Sequence, residues 1–90
     1  MELKSRKTRQ QVIEWIQQSE YDAVVCIDGM DDAFMGCTPA GVAVYNLDRI
    51  VEIVMEDDEL SEEEAIEYVQ FNIVDAYIGE KTPIFVEMFT

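Results

Sequence analysis

Charge is spread so unevenly along this 90-residue chain that it dictates which surfaces a fold can hide. Residues 1–9 hold Lys4, Arg6, Lys7 and Arg9 against Glu2 alone. Residues 10–90 hold 19 acidic groups against Arg49 and Lys81, a local balance of −17. Nine of the 20 acids fall between Glu52 and Glu67. Carboxylates without a partner are almost never fully buried. Each element in that region must therefore turn an acidic face to water and build a core from the apolar positions left behind. Leu, Ile, Val and Phe number 26 of 90, above the roughly 20% below which a strongly charged chain stays unfolded. The expectation is a single domain over residues 1–90, with 1–8 as a flexible basic arm, that folds against considerable self-repulsion.

Periodicity assigns the elements. Thr8 and Gln11 have the spacing of a capping box, and Val12, Ile13 and Ile16, with Trp15 on the edge, predict a helix over 9–19. Residues 23–27 are apolar on both faces and lie between Asp22 and Asp28-Gly29. They read as a short buried strand, with a helical extension as the alternative. Residues 33–37 and 42–45 flank Thr38-Pro39-Ala40-Gly41, whose Pro and Gly suit a type I turn, so a hairpin is predicted. Asn46 is placed to cap a helix carrying Leu47, Ile50, Val51 and Val54, which ends in the acids of 56–59 against its own dipole.

Ser61 and Glu64 form a second capping box, and Glu62 and Glu63 complement the dipole of the helix they open. Ile66, Val69, Ile73 and Tyr77 mark the buried face of a helix to Ile78, stopped at Gly79. Of Tyr68 and Phe71, which lie beside that stripe, one is expected to be exposed unless tertiary packing buries both. Beyond Pro83, residues 84–89 read as a strand so apolar that it has to be central, covered or paired with a second copy. The fold class is α+β: a small, mostly antiparallel sheet, the hairpin plus the C-terminal strand, packed against two to three helices.

Catalytic chemistry finds little support. The chain has no histidine, which removes the commonest general base and metal ligand. Ser5, Ser19 and Ser61 sit at termini or caps, and Cys26 and Cys37 lack a cationic setting, so both thiols are assigned to packing. The four glycines are isolated, so no phosphate cradle forms. Asp28, Asp31 and Asp32 offer oxygen ligands to a divalent ion, but their spacing fails the EF-hand pattern and suits a turn. Glu56-x-x-Glu59 followed by Asn72-x-x-Asp75 approximates the paired acidic motifs of all-helical Mg²⁺ pyrophosphohydrolases. Asn72 stands where that motif needs a glutamate, and predicted strands disagree with its scaffold. No catalytic residue, resident metal or cofactor is expected. A carboxylate-based metal enzyme stays as an alternative.

The segment Ser61–Tyr68, with Phe71-Asn72-Ile73, Ala76-Tyr77-Ile78-Gly79 and Thr82–Val86, resembles a group of small acidic uncharacterised proteins of bacteriophages and some bacteria. Asp32–Gly36 and Val44-Tyr45-Asn46 fit the same pattern, and the likeness covers roughly residues 30–87. Its motifs are caps and packing positions. The resemblance implies a phage-like context and carries no activity or site residues.

A balance this acidic repels nucleic acid and anionic membranes, so neither is expected as a direct partner, and a basic protein surface is. No stretch suits a signal peptide or a membrane span, and a cytoplasmic setting, that of a host cell if the gene is viral, is expected. The leading expectation is a non-enzymatic binding module. It presents Glu52, Glu56, Asp57, Asp58, Glu59, Glu62, Glu63 and Glu67, with Tyr68 beside them, to a basic protein, as a candidate nucleic-acid mimic. The alternatives are a homo-oligomeric accessory protein joined through the C-terminal strand, and acidity that serves only solubility or high-salt adaptation.

Overall fold

In a computed structural model, residues 6–21, 23–76, 79 and 81–89 are described. Helix α1 spans Arg9–Gln18, strands β1 and β2 span Phe34–Cys37 and Ala43–Asn46, and helices α2 and α3 span Leu47–Asp58 and Glu62–Val69. A π-helical turn over Gln70–Val74 extends α3, and strand β3 spans Ile84–Val86. Both predicted capping boxes are formed. Thr8 Oγ1 accepts from the Gln11 amide at 3.2 Å while Gln11 Oε1 accepts from the Thr8 amide at 2.8 Å. Ser61 and Glu64 reciprocate in the same way at 3.2 and 3.0 Å. Asn46 Oδ1 caps α2 through the Arg49 amide at 3.1 Å.

The architecture is α+β, but its sheet is mixed instead of mostly antiparallel. Strand order is β1-β2-β3, with β1 antiparallel and β3 parallel to β2. The hairpin turns at Thr38–Gly41, where the Gly41 amide donates to the Thr38 carbonyl at 2.9 Å and Gly41 has φ +80°. From β2 the chain leaves through α2 and α3 and returns beside the same strand, the long crossover that a parallel pairing requires. Register then sets Phe34 opposite Tyr45 and Tyr45 opposite Phe85, one aromatic from each strand in a row. The ring centroids stand 5.7 and 6.4 Å apart, and Trp15 of α1 continues the row 5.7 Å from Phe34. Tyr45, Ile50, Ile53, Val54 and Val69 are the largest fully buried side chains, so the core lies between sheet and helical pair.

Four expectations are corrected. Residues 23–27 form no strand: Ala23 has φ +46°, and the Ile27 amide donates to the Tyr45 hydroxyl at 2.9 Å instead of to a strand. An apolar run of five fits any buried segment, so periodicity alone does not separate strand from covered loop. The α-helical hydrogen bonding of α3 stops at Val69 and gives way to the π turn, and the positions of Tyr77 and Ile78 lie outside the described residues. Ile66, placed on the buried stripe by spacing, is 51% exposed, and Ala65 takes the core position beside Val69. Lastly, the C-terminal strand covers Ile84–Val86 instead of 84–89, and its place at the sheet edge, with Ile84 41% exposed, removes the central option and leaves cover or pairing with a second copy. Beyond it the Met88 amide donates to Asp48 Oδ2 at 3.0 Å, which ties the tail to the start of α2.

Candidate functional site

A left-handed Glu59, φ +53°, ends α2, and Ser61 opens α3 two residues later, so the two helices reverse and pack on one another. Ile50, Ile53 and Val54 on α2 and Ala65 and Val69 on α3 go into the core. That leaves a second apolar strip on α2, namely Leu47, Val51 and Met55, four residues apart and therefore stacked on one helical face. With Ile66 and Val69 of α3 it floors an open groove of about 1000 Å³. Asp48 and Glu52 rise from the α2 side, Glu62 and Gln70 from the α3 side, and Glu87 follows β3.

The predicted acidic residues divide into four sets. Glu52 and Glu62 line the groove. Glu63 and Glu67 are exposed on α3, four residues apart and hence neighbours on its flank. Asp58 and Glu59 are exposed at the turn between the helices. Glu56 and Asp57 are partly neutralised instead. The Arg6 guanidinium pairs with Glu56 and stands 3.6 Å from Asp57, and Arg49 reaches Glu56 at 3.3 Å and Glu52 at 3.4 Å. Hydrogen bonds from Arg6 first, and from Arg49, hold the Glu56 carboxyl below its ordinary pKa. Tyr68 is 43% exposed but does not line the groove, and Phe71, in the π turn, is 71% exposed. Both aromatics beside the α3 stripe face solvent, against the expectation that packing would bury one or both.

Arg49 is the pivot of the site. Its Nε donates to Asp32 Oδ2 at 2.8 Å in the most enclosed ion pair among the described residues, with both side chains about one-fifth exposed. Partial burial pushes the Asp32 carboxyl up. The Lys7 amide at 2.7 Å and the Arg49 guanidinium outweigh that push, so its pKa lies below the ordinary value. Asp28 pairs with Arg9 at 2.6 Å. Asp28 and Asp32 thus face separate guanidinium groups, and among the described residues no three His, Cys, Asp or Glu side chains stand together as an ion site would need. Glu59, Asn72 and Asp75 are likewise engaged locally or set apart: Asn72 donates to the Tyr68 carbonyl and Asp75 accepts from Gln70, each at 3.1 Å. Cys26 and Cys37 are half-buried, and burial pushes both thiols up, away from the reactive thiolate.

The groove itself is the part of the site that sequence reading missed. Its signal was present: α2 carries apolar residues at 47, 50, 51, 53, 54 and 55, a stripe wider than one layer of core can cover. Compared with known protein families, curated proteins and solved structures, the chain matches none of them. No helix among the described residues is long and apolar enough to cross a membrane.

Proposed function

We propose that this protein is a non-enzymatic docking module whose α2–α3 face receives a basic protein. The observation that carries the reading is the exposure of Glu62 at the groove, with Glu52 across from it, and of Glu63 and Glu67 on the adjoining flank of α3. Those three α3 carboxylates have no cationic partner among the described residues. Charge of this density steers a basic partner into encounter and repels acidic competitors. The ion pairs to Arg6 and Arg49 interrupt the line of free carboxylates through Glu52, Glu56 and Asp57. That interruption favours a charged docking face over a mimic of evenly spaced phosphates. With the phage-like setting expected from the sequence kept as part of the proposal, the partner belongs to a host cell.

The test is capture of basic proteins on the immobilised protein, beside a variant carrying Glu62→Gln, Glu63→Gln and Glu67→Gln. The account expects a retained basic protein that is released by high salt and lost with the triple variant. Retention unchanged by the three substitutions would refute it.

A second reading, self-association, is favoured by the edge position of β3 and the exposure of Ile84, Met88 and Phe89. An apolar edge strand is a template for pairing with a second copy.

A further inference from the structure

Resting on the docking reading above, we infer that the occupant of the α2–α3 groove is a single basic amphipathic helix. The floor is apolar and unfilled: Val51 and Met55 are only half-buried and Ile66 is 51% exposed, an arrangement a folded monomer gains nothing by leaving open. The walls decide the conformation of what fits. The two that carry the apolar floor are helices, whose backbone groups are bonded within themselves, so a guest seated over Leu47, Val51, Met55 and Ile66 finds no backbone partner there. A strand laid there would bury backbone N–H and C=O groups without partners. A helix brings its own hydrogen bonds and needs only side-chain contact.

Size and spacing agree. Leu47 to Met55 is eight residue steps, or about 12 Å of helix, which matches roughly two turns of a guest. Apolar residues at i, i+3 or i+4, and i+7 on the guest would pack between the Leu47–Val51–Met55 ridge and Ile66, as a third helix joins a pair. The rim sets the guest's charge. Glu62 and Glu87 stand around the floor with no ion pair among the described residues, and Glu52 shares Arg49 with Asp32 and Glu56, while Lys7 Nζ donates to the Phe34 carbonyl at 2.6 Å. Lysine or arginine flanking the apolar ridge meets carboxylate on both sides, while an acidic or neutral helix leaves that charge unanswered.

The experiment is a titration, by fluorescence anisotropy at low salt, of two labelled synthetic peptides of about 16 residues. Both have one Leu/Lys composition, the first with Leu at helical i, i+4, i+7 spacing and the second scrambled. The amphipathic peptide should bind at least about tenfold tighter than its scramble. Ile66→Gln, at an exposed position, should erase that preference while leaving the scramble's affinity and the thermal unfolding of the protein unchanged. Equal binding of both peptides, lost in the Glu62/Glu63/Glu67 variant, would overturn the helical occupant and leave the acidic docking face standing. Failure of both peptides to bind would overturn the two together.

Discussion

Tyr45 shows how one residue can organise a small fold. Its ring is fully buried at the centre of the aromatic row, and burial pushes its hydroxyl far above the ordinary pKa, so it stays neutral. That hydroxyl accepts the Ile27 amide and holds the irregular 23–27 segment over the sheet. Sequence marked Tyr45 as a strand residue but gave no hint of this link, since a hydrogen bond across 18 positions leaves no local pattern. Tyr45→Phe keeps the ring and strands a buried amide. It should lower stability by about 1–3 kcal/mol in urea unfolding with an unchanged slope, and an unchanged midpoint would contradict the role. Ile66 teaches the converse: helical spacing reported that it belongs to an apolar face, not which face the molecule covers.

Among the elements, those with local chemical signals were legible in the sequence. Thr8, Asn46 and Ser61 each announce a helix start because a cap is a contact within three residues. The hairpin was legible for the same reason, through Pro39 and Gly41. The direction of β3 was not, because pairing with β2 is a contact across about forty positions that leaves no local pattern, and a connection this long permits either direction. Nor was the early end of regular hydrogen bonding in α3 at Val69. The exposed edge of β3 makes its own prediction. Sedimentation at high salt, where repulsion between copies is screened, should show concentration-dependent dimers that Ile84→Lys abolishes. Monomers at every concentration would remove self-association as a reading.

For the whole molecule, charge and topology act together. The acids of 52–67 are close in sequence, and the reversal at Glu59 sets Glu52 and Glu62 on the lining of one groove, with Glu63 and Glu67 on the flank of α3 and Asp58 and Glu59 at the turn, an arrangement no linear reading of charge could supply. Arg6 and Arg49 neutralise part of that face and join the N-terminal segment to α2, so the basic residues temper the acidic ones instead of forming a separate arm site. On the proposed function, a basic partner docks on the α2–α3 face. Residue-by-residue NMR shifts, recorded while the basic amphipathic peptide is titrated in, test it most directly. The account predicts shifts concentrated on Leu47–Asp58 and Glu62–Val69, led by Val51, Met55 and Ile66. Shifts centred on β1 and β3, or spread evenly over every exposed carboxylate, would contradict it.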